Sequence, residues 1–176
     1  MNHSDLTLRI HAASHLTGQF TLRSGRTATE YFDKYRFEAD PLLLDEVARR
    51  MAPLVPSDTQ VLAGLEMGGI PVATALGRHT GLPCSFVRKQ TKRYGTCRLA
   101  EGAEVTGRKV LVIEDVVTSG GQIVLSASDL RSLGAQVDGA LCVIDREQGG
   151  ADALKAEGIS LLSLLTAEDL RAGAAS

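Results

Sequence analysis

Tryptophan is absent from the 176 residues, aromatic side chains make up only 4%, and no charge sign dominates. With 19 Lys and Arg against 21 Asp and Glu, the net charge is −2, so no whole-surface positive field gathers nucleic acid and any anion binding must be local. No apolar run approaches the roughly 18 residues needed by a bilayer-crossing helix. The opening MNHSDLTLRIHAASHL lacks a basic stretch followed by an apolar one, so a soluble, cytoplasmic protein with no membrane partner is expected. Cys84, Cys97 and Cys142 form neither an even disulfide set nor a C-x-x-C spacing. Thiols packed as small hydrophobes in a reducing compartment are expected, and zinc is not. Low-complexity tracts, fixed repeats and Pro/Ser-rich linkers are also missing, which leaves one domain over residues 1–176.

Glycine, in contrast, occurs 18 times, singly or in pairs between apolar runs. From Ser4 to about His15, Leu6, Ile10 and Ala13 recur at helical steps, which predicts an amphipathic helix closed near Gly18. FTLRSGRT and EYFDKYRF then read as a short antiparallel hairpin turning at Ser24-Gly25. Asp40-Pro41 is a helix start, with Leu43, Val47 and Met51 on one face until Pro53 and Pro56 end it. The α/β core follows from about residue 41. Apolar runs at Val61–Leu65, Cys84–Val87, Val110–Ile113, Ala140–Ile144 and Ile159–Leu165 alternate with helical stretches around Ile70–His79, Gln122–Leu133 and Ala151–Glu157. Runs apolar on both faces suit buried parallel strands. The fold expected is a doubly wound, mainly parallel five-stranded sheet flanked by helices, with a small N-terminal helix and hairpin as a hood. Its chemistry belongs at the carboxyl ends of the strands.

KVLVIEDVVTSGGQIVLSASDL carries most of the chemical information. A buried strand runs into Glu114 and Asp115, then into the small polar loop Thr118-Ser119-Gly120-Gly121, then into a helix. Consecutive amides in such a turn, backed by the positive end of the helix, make a cradle for a phosphate dianion. Two carboxylates beside it would repel phosphate unless they had another partner, and vicinal sugar hydroxyls are one. A ligand with phosphate at one end and a diol at the other is a ribose 5-phosphate. The plainer reading is a tight turn with solvated acids. No G-x-x-x-x-G-K-[ST] occurs and no G-x-G-x-x-G follows a strand, which disfavours an ATPase or a dinucleotide enzyme.

VLVIEDVVTSGG resembles the signature of the type I phosphoribosyltransferases, which bind phosphoribosyl pyrophosphate (PRPP) through this loop. The resemblance implies the fold of that family, contacts to PRPP from Glu114, Asp115, Val116, Val117, Thr118, Ser119, Gly120, Gly121 and Gln122, and Mg²⁺ held mainly through PRPP oxygens and water. The resemblance assigns no particular side chain to the metal.

Between Arg88 and Arg98 the chain reads RKQTKRYGTCR, five cations and no acid. Such a density repels itself unless an anion is present for part of the cycle, and departing pyrophosphate would serve. A solvated basic loop or a modest RNA-binding patch is the alternative. FVRKQTKRYG is similar to the catalytic loop of the orotate phosphoribosyltransferases, R-K-x-x-K-x-H-G. Arg88, Lys89 and Lys92 match, and Tyr94 stands where many members have His, keeping a donor but not a cation. The resemblance implies that Lys89 and Lys92 serve catalysis, and that this loop reaches the neighbouring active site of a homodimer.

Three more segments extend the likeness. FTLRSGR resembles the segment beside the orotate site, with Arg23 for the usual Lys, and so brings the N-terminal hood to the base. GLEMGGIP looks like the loop that faces pyrophosphate through backbone amides; it places Met67, where some members carry Lys, with Gly68 and Gly69. CVIDREQGG resembles the strand end whose arginine, here Arg146, pairs with the orotate carboxylate, and Thr118 is implied to touch the base. A guanidinium suits a planar carboxylate because it gives two parallel hydrogen bonds. On its own, Arg146 reads better as a surface partner of Asp145 or Glu147. His3, His11, His15 and His79 have no metal spacing and read as surface or packing residues. The activity implied is transfer of the 5-phosphoribosyl group from PRPP to orotate, without a nucleic-acid partner. Alternatives are transfer to a purine base, or a PRPP-sensing regulator that binds RNA or DNA.

Overall fold

Side-chain parity along the strands builds two cores, one on each face of a central sheet. The computed structural model describes residues 3–21, 25–89 and 99–174. Its elements are α1 (His3–Ser14), β1 (His15–Thr21), β2 (Thr27–Phe32), α2 (Tyr35–Glu38), α3 (Pro41–Met51), a 3₁₀ turn (Ala52–Leu54), β3 (Val61–Leu65), α4 (Gly69–Thr80), β4 (Cys84–Val87), β5 (Ala100–Gly102), β6 (Lys109–Val117), α5 (Gly121–Ser132), β7 (Gln136–Asp145), α6 (Gly150–Ala156), β8 (Ser160–Thr166) and α7 (Ala167–Ala174).

On one face Leu62, Leu111, Ile113 and Leu141 pack with Leu6, Leu43, Val47 and Leu76 from α1, α3 and α4. On the other, Val61, Ala63, Val110, Val112, Ala140 and Cys142 pack with Ile123, Ala127, Leu130 and Leu154 from α5 and α6. Successive strand residues thus feed opposite cores, which is why these runs are apolar throughout.

Among the described residues the main sheet has the order β5-β4-β3-β6-β7-β8. The five apolar runs are its parallel strands, and β5 adds an antiparallel sixth at the edge. From β3 the chain winds outward to β4, then returns to β6 and winds the other way through β7 and β8. The order therefore reverses between β3 and β6, and a crevice opens beyond their carboxyl ends. Glu66-Met67-Gly68-Gly69 follows β3 and Thr118-Ser119-Gly120-Gly121 follows β6, so both glycine loops border that crevice.

Asp40 caps α3 as expected, accepting from Leu42 N at 3.0 Å and Leu43 N at 3.1 Å. The N-terminal region departs from expectation in two places. The first helix stops at Ser14, and Gly18 lies inside β1, where the register shifts between Thr17 and Phe20. The second hairpin arm ends at Phe32, and YRFE forms the short helix α2. That turn buries Phe37 completely, which a continued strand on this two-stranded hairpin would not do. The final helix α7 is an addition, started by a reciprocal cap in which Thr166 N donates to Asp169 Oδ2 and Asp169 N to Thr166 Oγ1.

Candidate active site

Strand β6 runs four residues beyond its apolar stretch, to Val117, and carries the acid pair within it. Alternation then sends the two acids to opposite sides. Glu114 lines a cavity of about 290 Å³ together with Val116, Val117, Thr118, Ser119, Gly120, Gly121, Gln122 and Ile123. Gly120, at φ +76°, turns the chain into α5 without a side-chain cap, so the first-turn amides of α5 are left for another acceptor. The turn is also tightly backed: a β-carbon on Gly150 would stand 2.6 Å from Thr118 O and 2.7 Å from Val117 Cγ1. This is a mould for an oxyanion, with a carboxylate at its mouth.

Asp115 points away from that cavity and is wholly buried. Its Oδ1 accepts from Val116 N at 2.6 Å, and its Oδ2 lies 2.7 Å from the Lys34 ammonium. Glu38, 8% exposed, stands on the same side, its Oε1 buried without a hydrogen-bond partner among the described residues. Gly68 closes over both, because a β-carbon there would fall 1.8 Å from Asp115 Oδ2 and 3.0 Å from Glu38 Oε1. Charge is divided unequally within this group. Burial, then the adjacent Asp115 carboxylate, raises Glu38 to about 9 and raises Glu114 well above the ordinary range. Burial also opposes ionisation of Asp115, but the neighbouring Glu114, Glu38 and Lys34 groups outweigh it and lower its pKa. Lys34 is raised, since its contact with Asp115 overcomes the cost of burial. Asp115 is thus the carboxylate that carries the charge.

The loop after β3 brings Met67, Gly68 and Gly69 to the same crevice, with Met67 58% exposed and both glycines buried. A β-carbon on Gly69 would sit 2.3 Å from Ile113 O, so close backbone packing between β6 and this loop requires glycine. Glu66 accepts the Lys89 amide at 2.9 Å, which ties the loop to the start of the cationic segment. The Lys89 side chain is exposed, and Arg88 is half-buried with its Nε unpartnered. Lys92 and Tyr94 of that segment lie outside the described residues, as does Arg23 of the hairpin tip.

Arg146 and the phosphate-side loop meet through the backbone, where Arg146 N donates to Val117 O at 2.8 Å. The Arg146 side chain borders a different cavity, of about 430 Å³, walled by His11, His15, Tyr31 and Phe32 from the hood and by Leu170 and Arg171 from α7. Thr118 lines the first cavity and Arg146 the second, so the two expected base contacts stand on either side of the strand end. Asp145 and Glu147 are otherwise engaged, the former by Glu147 N and the latter by Arg171 and Glu168 N. The rings of His11 and His15 stack at 4.7 Å against this cavity, a placement that their spacing does not reveal. Lys34 and Glu38 were also not legible as site residues, because nothing local in DKYRFE marks them as partners of a strand 80 residues on.

The phosphoribosyl transferase domain model matches residues 36–159. The chain is 52% identical over 167 residues to an orotate phosphoribosyltransferase of a Nocardioides species, covering 95% of this chain and 93% of the relative. It superposes on the orotate phosphoribosyltransferase of Mycobacterium tuberculosis in complex with Fe(III) dicitrate with a TM-score of 0.87 at 36% identity, over 96% of this chain and 98% of that one. On that enzyme in complex with PRPP the TM-score is 0.83 at 33% identity, with the same coverage. On the match of that domain model and this degree of identity over nearly the whole chain, the chain belongs to the orotate phosphoribosyltransferases of the phosphoribosyl transferase domain family.

Proposed function

We propose that this protein transfers the 5-phosphoribosyl group from PRPP to orotate, giving orotidine 5′-phosphate and pyrophosphate in pyrimidine synthesis. The observation that carries the reading is the end of β6, where one carboxylate at an oxyanion mould and one in a buried ion pair adjoin Arg146. Amides from Val116 to Gln122 take the 5′-phosphate, and Glu114 holds the ribose hydroxyls together with Asp115 once the cover that Lys34 and Gly68 make over it is drawn back. Backbone at Met67, Gly68 and Gly69 faces the pyrophosphate, which Arg88, Lys89, Lys92 and Tyr94 also contact. Arg146, Thr118 and Arg23 take orotate.

The ring N1 of orotate, having given up its proton, forms the new bond to C1 of the ribose as the bond to pyrophosphate oxygen breaks. Positive charge grows on the sugar and negative charge on the leaving group. Asp115 is suited to stabilise the former because it is the ionised member of its buried group, and the cationic loop suits the latter. Closure of that loop would exclude the water that hydrolyses the sugar. Mg²⁺ is proposed as an ion brought in on PRPP oxygens and water. When bound it supplies charge neutralisation on pyrophosphate. We propose also that the protein is a cytoplasmic homodimer, with the Arg88–Arg98 loop serving the neighbouring site.

The test is turnover of orotate with PRPP and Mg²⁺, followed by loss of orotate absorbance. Turnover of adenine or hypoxanthine with none of orotate would overturn the base assignment.

A further inference from the structure

Lys34 has no part in the chemistry assigned above, yet it supplies the cation in contact with the buried acid. The residue leaves the hood two positions after Phe32 and immediately precedes α2. Its ammonium reaches 2.7 Å from Asp115 Oδ2, and its side chain is 32% exposed against 0% for Asp115. Asp115 is faced from every side by named groups: Lys34 from the end of the hairpin, Glu38 from α2, Gly68 from the loop after β3, and Glu114 beside it on β6. Three carboxyl groups therefore stand near one ammonium, and the one in contact with it, Asp115, is itself closed to water. A carboxylate so placed keeps its charge only with a cation at contact distance, and removal of that cation leaves it protonated or repelled.

We propose that Lys34 is a positioning residue for phosphoribosyl transfer: as the contact counter-ion of Asp115, it keeps that carboxylate anionic and oriented for the ribose. This rests on the reading of Asp115 as a ribose-binding group. Lys34 acts through Asp115 and not on the substrate. Its location adds a second consequence. The segment that follows β2 and the strand that bears the ribose acid are joined by this ion pair.

Calorimetric titration with PRPP and Mg²⁺, beside steady-state kinetics, tests this on Lys34→Met, Lys34→Arg, Asp115→Asn and the Lys34→Met/Asp115→Asn double variant. Lys34→Met should raise both the Kd and the KM for PRPP by about tenfold or more and the KM for orotate by less than about threefold, and Lys34→Arg should recover PRPP binding to within about threefold. In the Asp115→Asn background, Lys34→Met should add less than about threefold to the Kd for PRPP. Should Lys34→Met fail to fold, Lys34→Gln, polar and uncharged, makes the same comparison. Unchanged PRPP affinity in the uncharged variant, or its full penalty retained on Asp115→Asn, overturns the proposal. PRPP binding is read without orotate, so a protein that binds PRPP and leaves orotate unused fails the assignment of function while still deciding the role of Lys34.

Discussion

Gly68 and Asp115 touch so closely that a β-carbon on the first would lie 1.8 Å from Oδ2 of the second. The loop after β3 and the end of β6 are therefore fitted to one another through the one residue that adds no side chain. Gly68→Ala should displace the loop or the carboxylate. The expected result is a loss in kcat/KM for PRPP of about tenfold or more, equivalent to about 1.4 kcal/mol, measured with PRPP varied at saturating orotate. Unchanged kinetics would mean that the contact has no bearing on the ribose site.

Lys89 sits at the foot of the cationic segment, its backbone held by Glu66 and its side chain exposed. Lys89→Ala should lower kcat by about tenfold or more, the loss expected on removing one leaving-group cation. Mixing it with an Asp115→Ala chain should restore activity, since a mixed dimer rebuilds one complete site from two damaged chains. Absence of any recovery would place the lysine and the acid in the same chain's site.

Arg146 tests the base side. Replacement by Lys preserves the charge but removes the paired donors that fit a planar carboxylate, so the KM for orotate should rise by about tenfold or more while the KM for PRPP moves little. A parallel rise in both constants would assign Arg146 to the strand end as a whole.

Glu38 gives a pH signature. Its carboxyl is raised from 4.5 to about 9 by burial first and by Asp115 second, so the folded protein retains a proton that the unfolded chain releases. That contribution to stability is complete below pH 4.5 and is lost as pH rises toward about 9. Glu38→Gln, which stays neutral, should melt higher than the parent by a margin that widens across this window and closes below it. A margin independent of pH in thermal melts would show that Glu38 is ionised in the fold.

Asp40 provides a control outside the site. Loss of its two bonds to the start of α3 in Asp40→Ala should cost about 0.5–2 kcal/mol of stability, read by urea unfolding. The value of kcat should hold within about twofold, because surface helix caps away from a site act on stability alone.

The five parallel strands and the helices between them were legible because a strand buried on both faces must be apolar throughout, and Val61–Leu65 and Ala140–Ile144 meet that demand without a break. Strand β5 was not, since Ala-Glu-Gly has neither the length nor the composition of a strand and pairs only because β4 lies beside it. The acid pair is legible in the sequence, but β6 reads there as ending before it, and only its continuation to Val117 separates Glu114 from Asp115 by parity. The helix α7 had a readable signal in Thr166 and Asp169, a capping pair three apart. Lys34 had none. Its role depends on a chain crossing that brings residue 34 to residue 115, and no local pattern encodes such a meeting.

Strand β5 pairs with β4 from Val87–Ala100 to Ser85–Gly102, and Arg88 N bonds Leu99 O at 2.9 Å. The chain thus leaves the sheet after Lys89 and re-enters it at the same doorstep. The pairing of β5 on β4 is thus closed by backbone bonds on either side of positions 90–98. The register of that edge strand is therefore set by its flanks, which leaves the nine positions between them to answer to turnover and not to the ladder.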